Sequence, residues 1–342
     1  MRRLTKDPEN ERGATAIAVA LTMVMMLGFA AIAVDVGGMY AEKSVVQNGA
    51  DAASLAVAQT CAKNSTLPTC ASGSSLSGVL AKANAKDNLT NVQSTIVDKA
   101  AGKVTVITNA EESSGVHFST FFARIFGTNT ASINAEAQAR WGGAQAGTAA
   151  MPIAFSSCEV DSSITADGTT QFLLSHGTGA GKKDTCHDTG SGLEIPGGFG
   201  WLLTSSTCKV KVDLASPWVV SNTGNSPEAD CAATLQGWKT KLQAGGKVVA
   251  LFPVFDDTRG TGSNGEFHLK AFAAIDLMGW DLANQDPFSY MPAAAQAFKD
   301  AGGWKNSDLG IVGKFIRYVA LDESFEVGGP TIYGGNVVEL TK

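Results

Sequence analysis

Residues 14–34, ATAIAVALTMVMMLGFAAIAV, form an uncharged run of 21 residues, and no other stretch of the 342-residue chain resembles it. As an α-helix the run is about 31 Å long at about 1.5 Å per residue, close to the thickness of a bilayer's hydrocarbon layer. Its flanks give a direction. Arg2, Arg3, Lys6 and Arg12 precede the run, whereas residues 35–47 carry a single basic residue, Lys43. The positive-inside bias therefore predicts a cytoplasmic tail over residues 1–13, a transmembrane anchor over residues 14–34, and the rest of the chain on the extracellular side of the cytoplasmic membrane after a single pass.

A basic stretch, an apolar stretch and Ala31-Ile32-Ala33 also imitate a cleavable secretory signal. The apolar run is longer than the roughly 7 to 15 residues of such signals, and the residues after it continue in helical rhythm, so a retained anchor is the preferred reading. Both readings put the bulk of the chain outside.

The length exceeds what one hydrophobic core usually covers, which predicts two exported domains. A net charge of −6 and the absence of a basic patch argue against a nucleic-acid partner. All six cysteines, Cys61, Cys70, Cys158, Cys186, Cys208 and Cys231, lie beyond the apolar run. An even number confined to the exported side points to disulfides formed in an oxidising compartment. Sequence alone does not choose the pairing; the expectation is Cys61 with Cys70, Cys158 with Cys186, and Cys208 with Cys231. No close pair of the C-x-x-C kind is present, which disfavours zinc.

Residues 35–62 read as an extracellular stalk helix. Val46, Ala50, Ala53 and Val57 form one stripe and Ser44, Gln47, Asn48, Asp51 and Ser54 another. Gly37-Gly38 weakens the helix at the membrane exit, where a bend is expected. The apolar stripe is expected to pack on the stalk's own domain; the small residues would also permit close self-association through this helix.

Residues 63–142 read as a small α+β domain. It starts with a loop and a helix ending near Asn88, followed by a hairpin of strands 92–98 and 103–109 around the turn Lys99-Ala100-Ala101-Gly102. Phe118, Phe121, Phe122, Ile125 and Phe126 then fall on one face of an expected helix over 117–126, with Gly127 as its stop. That face would suit either the membrane interface or a sheet needing a cover, and the adjacent hairpin favours the sheet. Residues 129–142 alternate small apolar with polar residues, as a half-buried strand does.

Gly142, Gly143 and Gly147 suggest a linker over residues 143–150. Residues 151–342 read as a disulfide-stapled, mainly β domain. Its expected strands are 171–174, 201–204, 218–220, 247–255, 267–278 and 314–321, with helices over 231–242 and 292–299. The expected class for the whole chain is α+β, with one N-terminal transmembrane helix.

No motif with a mechanism emerges. In GTGAGKK, residues 177–183, Gly177 and Gly181 enclose three residues, where a phosphate-binding P-loop needs four, and no Ser or Thr follows the lysine. Asp256, Asp257 and Glu266 flank a Gly-rich turn but lack the ligand order of a calcium loop. The four histidines, His117, His176, His187 and His268, are scattered. No G-x-S-x-G elbow is present either. No catalytic residue, cofactor or metal site is therefore expected.

Glu11-Arg12-Gly13-Ala14, the apolar run, Ala33-Val34-Asp35-Val36-Gly37, Tyr40 and Gln47-Asn48-Gly49-Ala50-Asp51-Ala52-Ala53-Ser54-Leu55-Ala56 carry a family resemblance. Together they resemble the TadE/TadG-like family of Flp (tight-adherence) pilus assembly proteins. Ile195-Pro196-Gly197-Gly198-Phe199-Gly200-Trp201-Leu202 and Phe315-Ile316-Arg317-Tyr318-Val319 are similar to the C-terminal part of the actinobacterial TadG-like type. The resemblance implies a membrane-anchored component of the pilus assembly apparatus whose partners are other assembly proteins or pilin subunits, and it implies no catalysis. Two family features are missing. Asp161-Ser162-Ser163 lacks the Asp-x-Ser-x-Ser spacing of an adhesion metal site, and the fifth residue after Gly13 is Ala18 rather than the Glu of a prepilin cleavage site. From a different class, a cell-surface module for a carbohydrate or protein ligand would place Trp201, Trp218, Trp238, Trp280 and Trp304 on its surface.

Overall fold

The computed structural model describes residues 9–85, 87–161, 168–175, 185–187, 194–196, 199–204, 208–222, 229–260, 264–283, 285–316, 325–331 and 333–341. It begins with one long helix, α1 (Glu9–Lys63), of 55 residues. Neither Gly37 nor Gly38 interrupts it, so the bend expected at the membrane exit is replaced by continuous helix. Packing accounts for one of the two glycines: a Cβ on Gly38 would lie 3.0 Å from the Phe118 ring.

Then come α2 (Ser75–Ala83), β1 (Thr90–Asp98), β2 (Lys103–Ala110), β3 (Phe118–Ser119), β4 (Thr130–Ala131), β5 (Asn134–Ala149), β6 (Ile153–Ser156), α3 (Ser157–Asp161), β7 (Thr170–Leu174), β8 (Thr185–His187) and β9 (Glu194–Pro196). The remainder holds β10 (Phe199–Leu202), β11 (Val210–Asp213), β12 (Trp218–Asn222), α4 (Cys231–Gln243), β13 (Val248–Arg259), β14 (Glu266–Asp281), β15 (Ser289–Tyr290), α5 (Ala293–Ala301), β16 (Gly310–Ile316), β17 (Phe325–Gly329) and β18 (Asn336–Leu340). The class is α+β, as expected.

Two sheets dominate. In the first, β1 and β2 form the expected hairpin, with Asp98 opposite Lys103. The Asp98 carboxylate accepts the N–H groups of Ala100 and Ala101, and Gly102 takes φ +59°, a backbone conformation that suits glycine. Strand β2 pairs with β5, and β5 in turn pairs with β11, β17 and β18 from the far end of the chain.

The glycines expected as a linker therefore sit inside β5, where neighbouring segments of the same chain approach them closely. A Cβ on Gly143 would lie 2.1 Å from the Pro330 carbonyl oxygen, and one on Gly142 would lie 3.0 Å from Val327. In the second sheet the order is β12-β10-β6-β13-β14-β16-β7, and β12 also pairs with β14. Strands β6, β10, β12, β14 and β13 thus form a closed circuit of hydrogen-bonded neighbours. Phe155, Phe252, Ile275 and Trp280 of this sheet are fully buried in one cluster, which also takes in Leu235 of α4 and Ile311 of β16.

The expected helix over 117–126 is not formed. Those residues contain β3 and a single 3₁₀ turn (Ala123–Phe126), closed by Gly127 at φ +86°. Phe118 packs against the buried cluster of Val46, Ala50, Ile133 and Ala137. Phe121, Ile125 and Phe126 stay exposed instead of covering the sheet. The reason is a competitor for the same surface: α1 lays its Val46, Ala50, Ala53 and Val57 stripe on the sheet.

Candidate functional site

The feature that organises this chain is the passage of α1 from an unpacked segment to a buried one. No residue of its most apolar window is buried in the molecule, whereas Val46, Ala50, Ala53, Val57 and Ala58 are 0% exposed. Small side chains let the sheet approach closely, and β2 adds a hydrogen bond, the buried Thr108 Oγ1 donating to the Val46 carbonyl at 2.8 Å. Gln47 donates to the Asp51 carboxylate and to the Glu136 carbonyl. Lys43 donates to the Asn134 carbonyl.

At the upper end of α1, Asn336 Nδ2 donates to the Ala62 carbonyl at 2.9 Å, and a disulfide joins Cys61 to Cys70 with Cα atoms 4.9 Å apart. The helix is fastened at both ends of its buried half.

Sequence reasoning missed the fastening at the lower end. Asp35, the first residue after the apolar run, is 5% exposed. Its carboxylate accepts the backbone N–H groups of Phe121 at 2.8 Å, Phe122 at 3.0 Å and Ala123 at 2.6 Å. It thereby satisfies the open donors that begin the 3₁₀ turn, as an N-cap side chain does from within its own strand of chain. Burial acts to raise the Asp35 pKa, but the three N–H donors and the Arg124 guanidinium outweigh it and hold the carboxyl below its usual range. Glu112 fixes the same loop from the other side: it accepts both the hydroxyl and the N–H of Ser119, which likewise lower its pKa. The available signal was the position of Asp35, an acid at the very edge of an apolar helix, where an unpaired charge is costly.

Of the residues singled out for chemistry, Asp256, Asp257, Glu266 and His268 meet where β13 pairs with β14, and each is engaged there in local pairing. Asp256 faces His268 at 2.6 Å and Lys270 at 3.5 Å, while Glu266 pairs with Arg259 and Asp257 accepts the N–H of Thr258. His117 lies by Ser114 and Glu112. Among the described residues no group of three or more His, Cys, Asp or Glu is placed to hold a metal ion. The stretch 177–183 and His176 lie outside the described residues, as does the side chain of His187.

A second disulfide joins Cys208 to Cys231, with Cα atoms 4.6 Å apart. Cys158 is disulfide-bonded as well; the side chain of Cys186 is outside the described residues. Trp201 and Trp280 are buried, and the other three tryptophans expected on a ligand-binding surface are half-buried against neighbours: Trp218 on His268, Trp238 on Trp280 and Trp304 on Phe172.

These observations define an α+β protein in which one helix is long and apolar enough to cross a membrane and then becomes the packing helix of a sheet. Residues 13–60 of that helix match the model of the putative Flp pilus-assembly TadE/G-like family. The match ends at Thr60, one residue before the Cys61 disulfide, so the family segment coincides with the apolar half of α1, its buried half and the Asp35 junction between them. No curated protein and no solved structure matches the chain.

Proposed function

We propose that this chain is a membrane-anchored structural component of a Flp-type pilus assembly apparatus, acting through protein contacts outside the cytoplasmic membrane. One observation carries this reading: the family segment, residues 13–60, is a single helix whose first half suits lipid and whose second half is the spine of the globular region. The four basic residues before the run support an inward N-terminus, and disulfides support an oxidising exterior. The partners that fit are other assembly proteins or pilin subunits, with self-association through the face of α1 left open by the sheet, where Tyr40, Ser44 and Asn48 are exposed.

The test is genetic. Deletion is expected to abolish or shorten surface pili. The full chain is expected to restore them, and a version whose apolar run is replaced by a cleavable signal is expected not to. Pili of unchanged number, length and attachment after deletion would contradict the proposal.

A further inference from the structure

We propose that the 3₁₀ turn beside Asp35 is a second membrane contact, whose Phe121, Ile125 and Phe126 enter the headgroup–acyl boundary of the leaflet facing the globular region. This rests on the reading of α1 as a membrane span.

The contacts between the sheet region and α1 step down the helix toward the apolar run. Glu136 meets Gln47, Asn134 meets Lys43, Phe118 meets Gly38, and Phe121 to Ala123 meet Asp35. Asp35 is one residue beyond the run, so the turn Ala123–Phe126 lies at the level where α1 leaves the lipid.

At that level the turn presents Phe121 at 61%, Ile125 at 75% and Phe126 at 79% exposure. Ile125 and Phe126 are the two most exposed large hydrophobic residues described outside α1. Val36 of α1, the residue after Asp35, is exposed as well and continues the apolar surface of the span to this level. A hydrophobic group contiguous with a membrane-spanning surface is placed to be covered by the same lipid.

The charge pattern agrees. Arg124 is exposed on the same turn, its guanidinium 5.3 Å from the Phe121 ring centroid, and an arginine that rests its stem on apolar neighbours can hold its head at the phosphate layer. The carboxylates of Asp35 and Glu112 direct their oxygens at backbone and Ser119 donors of the loop itself. The clasp by Asp35 also fixes the turn in advance, so that insertion does not have to order the loop.

The full chain in phospholipid nanodiscs tests this with single environment-sensitive fluorophores attached through Ile125→Cys, Leu27→Cys and Ile96→Cys. Leu27 reports on the span and Ile96 on an exposed strand of the sheet. The Ile125 probe is expected to shift its emission to the blue, lose quenching by aqueous iodide relative to the Ile96 probe, and gain quenching by lipids carrying a nitroxide near the headgroup. A label through Phe126→Cys is expected to give the same result. Iodide quenching at Ile125 equal to that at Ile96, with Leu27 quenched by nitroxide lipid, overturns the proposal and leaves the span standing. Shielding of Ile125 from both quenchers means a protein contact and overturns it too. Absence of lipid quenching at Leu27 removes the span and this proposal with it.

Discussion

The two halves of α1 are built from different residues for different surroundings. The first half carries Leu21, Met23, Met25, Leu27 and Phe29, all well exposed in the molecule itself, while the second carries Val46, Ala50, Ala53 and Val57 at 0% exposure. Large flexible side chains can fill the space between lipid tails. Small ones let β2 and β5 come close enough for Thr108 to bond a helix carbonyl. On the proposed reading of the first half as a membrane span, two separate burials and not helix propensity set the length of this helix, since Gly28, Gly37, Gly38 and Gly49 all fall within it.

Matched substitutions break the comparison most sharply. Val57→Asp puts an unpaired carboxylate into a site with no access to water, and it is expected to destabilise the globular region by about 4 kcal/mol or more, read as loss of protease resistance. Val24→Asp is expected to leave that resistance intact and instead to reduce membrane retention, at a cost of about 2.5–3.5 kcal/mol for an acid near the centre of a span. If both substitutions act on the same property, the two halves are not in different solvents.

The disulfide at the end of the buried half comes next. Replacing Cys61 and Cys70 together by serine opens a loop with a sequence separation of 9. Chain entropy sets the expected loss at about 2–3 kcal/mol. Thermal unfolding monitored on the sheet region checks it, and an unchanged midpoint would mean that Asn336 and the packed stripe hold this end alone.

A smaller, local effect is expected at the junction. Asp35→Ala removes the acceptor of three backbone N–H groups, so amide exchange over residues 118–127 should accelerate while β1 and β2 stay protected. Acid should imitate this weakly. Because Asp35 and Glu112 have lowered pKa values in the folded chain, their contribution is complete above the ordinary carboxylate range of about 4 and is lost as the pH falls through their folded values. Exchange over 118–127 should thus be flat between about pH 5 and 8, after correction for its intrinsic rate, and rise below about pH 4.

Much of this was legible in the sequence, and the parts that were not share a cause. The apolar run, the buried stripe of α1, the hairpin and half of the strands from residue 170 on follow from local periodicity and turn chemistry, which are properties of neighbouring residues. The places where expectation failed depend on distant ones. Residues 143–150 read as linker because their glycines are permissive in isolation; residues 143–149 are strand because β11 and β17, distant in sequence, pair there. The Phe118 to Phe126 face has helical spacing, but α1 occupies the sheet it was expected to cover, and Asp35 draws the backbone into a 3₁₀ turn. Asp35 itself gave little local signal, since its partners lie more than eighty residues away.

The continuity of α1 from lipid to globular core can be measured directly. Spin labels at Leu21→Cys and Tyr40→Cys, both exposed positions, span the Gly37-Gly38 pair. In nanodiscs a continuous helix places their Cα atoms about 29 Å apart, at about 1.5 Å per residue, and pulsed dipolar spectroscopy should return one narrow distribution consistent with that separation. A broad or markedly shorter distribution would show a hinge at the membrane exit and contradict a helix that carries the anchor rigidly into the sheet.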